Sequence, residues 1–242
     1  MAAYDLLAPH YDAVTGDSAA EAALIRDIIE QRRRRVRTVL DVACGTGAIT
    51  APLSAAYQVS GLDIAPGMLA VAREKLPGGT PLYLADMTSF ELGARYDAIV
   101  CAYQGVNHLL SFRAWTSFFG CAGRHLSPGG VFVFDIATVG YLRAMASAGR
   151  ILQEFGGHYL RIRVQAAGAA SFEWNIEVFE LQPDGRYRLL TQAVETRSFP
   201  VARVRAALRR WFTDVEVIGG DGSAADDPET ADRVWLACAK PS

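Results

Sequence analysis

The segment Val39-Leu40-Asp41-Val42-Ala43-Cys44-Gly45-Thr46-Gly47 sets an acid inside an apolar run and two glycines just behind it. The pattern reads as a strand, a tight turn and a helix. Gly45 and Gly47 let the backbone approach a ligand closely and tolerate turn angles closed to other residues. The helix start behind them offers unpaired N–H groups to an anion. The next acid at the end of an apolar run is Asp63, in Gly61-Leu62-Asp63-Ile64, and 63 − 45 = 18 residues separate it from Gly45. A carboxylate at that spacing can accept both hydroxyls of an adenosine ribose. A third acid, Asp86, stands in Leu84-Ala85-Asp86-Met87, placed to receive an adenine amino group with Met87 against the ring. A pyrophosphate suits the turn less well. Asp41 would repel it, and position 50 is Thr where a dinucleotide fingerprint calls for a small packing residue. Asp41 could instead accept an ammonium. The set favours a ligand with a ribose, an adenine and a zwitterionic tail.

Three acids at three successive strand ends need strands that run the same way, so that all three meet at one sheet edge. The apolar runs Thr38–Val42, Gln58–Asp63, Pro81–Ala85, Tyr96–Ala102 and Val131–Ile136 read as those strands. Helical patterns fall between them, over Ala48–Ala56, Met68–Lys75 (entered at Pro66) and Phe112–Leu126. Such alternation predicts parallel βαβ units with helices on both faces. After Ile136 the pattern changes. A short helix is expected over Val139–Ala146. Three runs with a period of two then follow, His158–Ala166, Phe172–Leu181 and Tyr187–Thr196, with Pro183-Asp184-Gly185 as a turn between the last two. They predict an antiparallel meander with one apolar face. Helical spacing returns over Val201–Trp211, and Val215–Ile218 and Val234–Ala239 read as closing strands.

The chain has 242 residues, with 24 Lys and Arg against 26 Asp and Glu, a net charge of −2. No global basic field is available, which argues against nucleic acid as the main partner. At 51% hydrophobic and 21% charged residues, the chain has material for a core and is not of disordered type. Cys44, Cys101, Cys121 and Cys238 form no CxxC pair, so neither a metal site nor a disulfide framework is expected, and a reducing cytoplasm is. Met1–Asp12 holds no apolar run of signal-peptide type, and no apolar stretch is long enough to span a bilayer. The run Arg32-Arg33-Arg34-Arg35-Val36-Arg37 reads as a solvated face at a helix end, and His125 as a cation at another.

Taken in order, Asp41–Gly47, Asp63, Asp86-Met87, Tyr96-Asp97-Ala98-Ile99-Val100 and Leu126-Ser127-Pro128-Gly129-Gly130 resemble the class I S-adenosylmethionine-dependent methyltransferases. The likeness implies an α/β fold, a doubly wound seven-stranded Rossmann-like sheet, with an antiparallel β lid inserted after the fifth strand. It divides the chain into a cofactor-binding core, 1–136 and 199–242, with an N-terminal cap, and a lid, 137–198. It implies S-adenosylmethionine as cofactor. Asp41, Ala43, Cys44, Gly45 and Gly47 would hold the methionine end, with Tyr11 folded over it from the cap. Asp63 would take the ribose, Ile64 and Met68 would flank the adenine, and Asp86 and Met87 would meet its edge. Ala102 and Tyr103 would face the sulfonium.

The loop after the fourth strand packs Gln104, Asn107 and His108 into a short stretch, which is costly to bury without a polar partner. These three are the expected substrate contacts, with His108 a candidate base and Tyr11 its companion at the reacting atoms. His158 and Trp174 are expected to reach the substrate from the insert, Trp174 as a roof, a lid-core residue or a dimer contact. His10 is read as structural. The expected reaction is methyl transfer to an oxygen, nitrogen or carbon of a small molecule, without metal, nucleic-acid or membrane partner, and with a homodimer left open. A non-methylating reaction on the same fold, such as a cyclisation, and a nicotinamide-dependent oxidoreductase are the alternatives.

Overall fold

Apolar residues on both faces of each central strand force helices onto both sides of the sheet. In the computed structural model, which describes residues 4–225 and 227–242, the strand Leu126–Ala137 (β5) shows this most clearly. Phe132, Phe134 and Ile136 point into a core with Trp115, Phe118 and Phe119 of the helix Phe112–His125. Val131 and Val133, one residue out of phase, point into a second core with Ile25 and Ile29 of the helix Ala19–Arg32. The period of two in a strand thus serves two helical layers at once.

The remaining elements run in chain order. A one-turn helix, Tyr11–Thr15 (α1), precedes Ala19–Arg32 (α2). Then come Thr38–Val42 (β1), Thr50–Leu53 (α3), Gln58–Asp63 (β2), Pro66–Lys75 (α4), Leu82–Leu84 (β3), Tyr96–Cys101 (β4) and a 3₁₀ turn, Gly105–His108. Phe112–His125 (α5) runs into β5 without a connecting residue. Val139–Ser147 (α6) leads to Arg150–Phe155 (β6), His158–Ala166 (β7), Ser171–Leu181 (β8) and Tyr187–Arg197 (β9). Val201–Leu208 (α7), Thr213–Gly219 (β10) and Arg233–Ala239 (β11) close the chain.

The main sheet has seven strands in the order β10-β11-β5-β4-β1-β2-β3, parallel except around β11. The parallel strands bring their carboxyl ends to one edge, on either side of β1, where the strand order reverses. At the opposite edge Pro241 O accepts the Gly129 N–H at 3.3 Å and Lys240 N–H donates to Gly130 O at 2.8 Å, which fixes the C-terminal residues there.

The insert is a separate antiparallel sheet, β6-β7-β8-β9. The alternation finds three of its strands, and β6 is a correction. Phe155 pairs with His158 across Gly156 and Gly157, whose φ angles are 53° and 81°. Two positive φ angles in a two-residue turn match strand twist, and glycine reaches them without steric cost. The inner face of the sheet packs on Leu7, Tyr4 and Val14 near one end and on Leu142 and Tyr141 near the other. Two further expectations change. The helix read over Ala48–Ala56 is only Thr50–Leu53, with Pro52 inside it and bonds closing into turns just after it. The arginine run is not uniformly solvated: Arg32 pairs with Asp214 at 3.1 Å and with Glu216, and Arg33 with Asp97 at 2.6 Å, while Arg34, Arg35 and Arg37 are exposed.

Candidate active site

The turn after β1 opens the site. Ala43 and Gly45 are left-handed, with φ of 56° and 55°. A Cβ built on Gly45 would meet nothing within 4 Å, so the turn faces open space. Asp63, at the end of β2, holds the turn in place. Its Oδ2 accepts the Gly45 N–H at 2.8 Å and its Oδ1 accepts the Ala65 N–H at 2.8 Å. An ionised carboxylate has about four acceptor positions, so these bonds do not exhaust it and room remains for a ribose hydroxyl. Asp41 is buried beneath the turn, and its Oδ2 accepts the Thr50 hydroxyl at 2.6 Å. Burial, opposed by the Thr50 hydrogen bond and reinforced by the charge of Asp63, holds the Asp41 carboxyl up at about 7. Burial also raises Asp63, against the pull of its backbone N–H partners.

Aromatic side chains roof this enclosure. The Tyr4 ring meets Tyr11 edge-on at 5.9 Å and His108 edge-on at 5.4 Å. The Tyr4 hydroxyl lies 3.5 Å from His108 Nε2. Burial lowers His108 to about 4, opposed by a hydrogen bond to the Glu195 backbone, so the ring is neutral at pH 7. Burial raises Tyr4 to about 12, and raises Tyr11 as well, so both stay protonated.

The segment that carries Tyr4 and Tyr11 is latched to both sheets. On the main sheet's side Asp5 accepts the Gly67 N–H at 2.9 Å, and Asp12 pairs with Lys75 and accepts the Thr46 hydroxyl. On the insert's side His10 Nε2 lies 3.0 Å from Glu180 Oε1, and Gln153 Nε2 donates to Val14 O at 3.3 Å. Residues 1–3 of the cap expected over Met1–Asp12 lie outside the described residues.

The cavity gathers Tyr11, Asp41, Ala43, Cys44, Gly45, Asp63, Ile64, Met68, Met87, Ala102, Tyr103 and His108 from the sequence-based set. It also takes in Tyr4, Ala48, Ile49 and Ala65, which sequence reasoning missed, and Gly105 of the loop that carries His108. Tyr4 stands in the same N-terminal stretch as Tyr11, and the residues after Gly47 and before Pro66 flank motifs already singled out.

Six expected residues lie off the cavity wall. Gly47 backs onto Leu76. Asp86 is exposed and closes a local turn, its Oδ1 accepting the N–H and hydroxyl of Thr88 at 2.7 and 2.8 Å. Gln104 turns away to Asp135. Asn107 is buried and bonded to backbone at Ala137 and Arg197. His158 accepts the Leu181 N–H at 2.9 Å and lies against His10. Trp174 donates to the Thr196 hydroxyl at 2.9 Å inside the insert. His125 is structural, with Nε2 accepting the Leu92 N–H at 3.1 Å and Nδ1 bonded to Cys121 O at 2.9 Å.

The enclosure fits the cofactor that the resemblance implies. The open turn at Gly45 leaves room for a chain end, and buried Asp41 is an acceptor suited to its ammonium. Asp63 suits a ribose diol. Ile64 is 59% exposed at the wall and with Met68 and Met87 offers apolar flanks to a flat ring. No cluster of metal-ligating side chains occurs among the described residues, and no helix there is long and apolar enough to cross a membrane.

Comparison with known proteins agrees. Residues 39–130 match a family described as a methyltransferase domain. The dTDP-3-amino-3,4,6-trideoxy-alpha-D-glucopyranose N,N-dimethyltransferase of Streptomyces venezuelae is 35% identical over 120 residues, 49% of this chain and 50% of that protein. The dTDP-4-amino-2,3,4,6-tetradeoxy-D-glucose N,N-dimethyltransferase of Saccharopolyspora spinosa is 32% identical over 52% of each chain. The match thus spans about half the length of these curated relatives. Among solved structures, a sugar N-methyltransferase of Streptoalloteichus superposes with a TM-score of 0.80 at 26% identity, covering 100% of this chain and 94% of that one. A S-adenosylmethionine-dependent methyltransferase of Clostridium acetobutylicum superposes with a TM-score of 0.85 over 100% of both chains, and at 18% identity it speaks for the fold alone. Residues 39–130 are thus similar to a methyltransferase domain, and the chain as a whole has the fold of the S-adenosylmethionine-dependent methyltransferases.

Proposed function

We propose that the protein transfers a methyl group from S-adenosylmethionine to a nucleophile of a small molecule, with an amine on a sugar as the foremost acceptor. One observation carries the reading: the methionine-side acid Asp41, the ribose-side acid Asp63 and the Tyr4–Tyr11–His108 roof all line one cavity at the carboxyl edge of the sheet. The sugar is suggested by the relatives' own substrates. An oxidoreductase is disfavoured because Asp41 would repel a pyrophosphate.

When bound, the cofactor supplies an electrophilic methyl on a sulfonium. Asp41 and Asp63 would hold its two polar ends, and Ile64, Met68 and Met87 its ring. Tyr4, Tyr11 and His108 exclude water over the cavity, which favours alignment and desolvation as the main contributions. A ring lowered to about 4 is a weak base. His108 therefore serves best as a neutral acceptor that orients a substrate N–H or O–H, and Tyr11 as a hydroxyl donor beside it. The core, 1–136 and 199–242, would bind the cofactor, and the insert, 137–198, would cover the acceptor. The reading sets the work in the cytoplasm, without nucleic acid, and with a homodimer as the assembly to test by gel filtration.

The test is incubation with methyl-labelled S-adenosylmethionine and a panel of nucleotide-linked amino sugars, alcohols and amino acids. Label in an amino sugar, with a mass gain of one or two methyl groups, is the expected result. Absence of S-adenosylhomocysteine binding at millimolar concentration would overturn the reading.

A further inference from the structure

We infer that Asp135 is a positioning residue for the cofactor cavity, fixing the left-handed turn Tyr103-Gln104 that forms one of its walls. The inference rests on the proposed function only for what the cavity binds. Asp135 lies on β5 and is fully buried. It does not line the cavity. Its carboxylate accepts the Gln104 backbone N–H at 2.9 and 3.1 Å and the Gln104 side-chain amide at 2.8 Å.

Those bonds hold a strained stretch. Tyr103 and Gln104 have φ of 55° and 57° in succession, a conformation that L residues other than glycine adopt only at an energetic cost. The flanking Ala102 and Gly105 line the cavity with Tyr103, and the turn feeds directly into the 3₁₀ segment that ends at His108. The backbone at 103–104 therefore sets the wall and the approach of the roof together.

The far side of Asp135 is anchored as well. Arg233 Nε donates to its Oδ2 at 2.6 Å. The guanidinium also pairs with Glu21 near the start of α2, and lies over the Trp235 ring at 4.5 Å. At the residue just before that start, the Tyr103 hydroxyl donates to Ser18 Oγ at 2.8 Å. The first turn of α2 is thus docked on the same backbone twice, once through Tyr103 and once through Glu21, Arg233 and Asp135. A carboxylate with this set of partners does more than satisfy burial. It joins the strained turn to the helix behind the N-terminal roof.

The test compares Asp135→Asn, Gln104→Ala, Gln104→Gly and the double variant Asp135→Asn with Gln104→Gly. Amide hydrogen exchange over residues 102–108 of the ligand-free proteins reads the turn directly, and calorimetric titration with S-adenosylhomocysteine reads its consequence. Asp135→Asn and Gln104→Ala should speed exchange in the segment and weaken binding about tenfold, the size of one uncompensated left-handed residue. Gln104→Gly should bind more tightly than Gln104→Ala, because glycine adopts the turn without strain. In the double variant glycine should recover most of the affinity that Asp135→Asn loses, without restoring the ion pair to Arg233. Equal affinity of Gln104→Ala and Gln104→Gly, or wild-type exchange in Asp135→Asn, overturns the inference. The two Gln104 variants leave the buried ion pair intact, so they decide the matter if Asp135→Asn does not fold. A wild-type chain that ignores S-adenosylhomocysteine would sink the proposed function, while the exchange data would still judge Asp135.

Discussion

Asn107 and Ala137 exchange a reciprocal pair of hydrogen bonds: Asn107 Oδ1 accepts the Ala137 N–H at 3.0 Å, and Asn107 Nδ2 donates to the Ala137 carbonyl at 3.2 Å. The same Nδ2 donates to Arg197 O at 3.1 Å. One side chain therefore ties the residue where the chain leaves the main sheet to the residue where it finishes the insert. Asn107→Ala would leave the Ala137 N–H and the Arg197 carbonyl without this partner. A loss of about 2–4 kcal/mol of stability is expected, read as a lower urea midpoint at unchanged slope. An unchanged midpoint would show that water replaces the amide.

Asp63→Ala should weaken S-adenosylhomocysteine binding by about 1.5–3 kcal/mol, the usual size of lost charge-assisted hydrogen bonds. Two effects act together, loss of the acceptor for the ligand and release of the Gly45 turn. Isothermal calorimetry checks it, and affinity within twofold of wild type would remove Asp63 from the site.

Asp41 makes ligand binding depend on pH. With its carboxyl at about 7 in the free protein, the ionised fraction rises about tenfold between pH 6 and 8. A ligand ammonium selects the ionised form, so affinity should rise over that window with release of a proton. Calorimetry in buffers of different ionisation enthalpy measures the proton, and a pH-independent affinity would contradict the pairing.

The same carboxyl works against the empty fold. A folded pKa above the unfolded value gives stability that is complete below about pH 4 and is lost as pH rises through about 7. Asp41→Asn keeps the acceptor for Thr50 and loses the buried charge. The ligand-free variant should be more stable than wild type at pH 8, by up to about 4 kcal/mol, while binding S-adenosylhomocysteine poorly. Thermal melts at pH 5 and 8 test this, with the gain distinctly larger at the higher pH.

His108 runs in the opposite sense. Its folded pKa of about 4 lies below the usual 6.5, so the stability it contributes is complete above pH 6.5 and is lost as pH falls through about 4. In an NMR titration its C2–H resonance should hold still from pH 8 to 5.5. A midpoint near 6.5 would restore it as a candidate base at neutral pH.

The cofactor side of the cavity was legible because its signals are local. Gly45, Asp41 and Asp63 follow from a glycine turn and from acids at the ends of apolar runs, and twelve of the expected residues line one enclosure. The substrate side was less legible. Gln104, Asn107 and His108 look alike as three polar residues in a loop, and only tertiary context separates them. Gln104 has Asp135, Asn107 has the backbone of Ala137 and Arg197, and His108 has the cavity. Asp135 itself sits in an apolar run, Val131–Ile136, where nothing nearby in sequence announces Arg233, almost a hundred residues away. β6 escaped because Leu152 is 74% exposed and breaks the one-sided pattern that marks the other three strands.

Tyr4 and Pro241 lie at opposite edges of the main sheet, Tyr4 over the cavity and Pro241 against Gly129. A fluorophore, tether or affinity handle joined beyond Ser242 therefore hangs behind the sheet, away from the mouth that small molecules must use. The same handle joined ahead of Tyr4 sits beside the roof of the cavity. Immobilisation through the C-terminal side leaves turnover free to be watched, and a reporter on the N-terminal side stands next to the ligand itself.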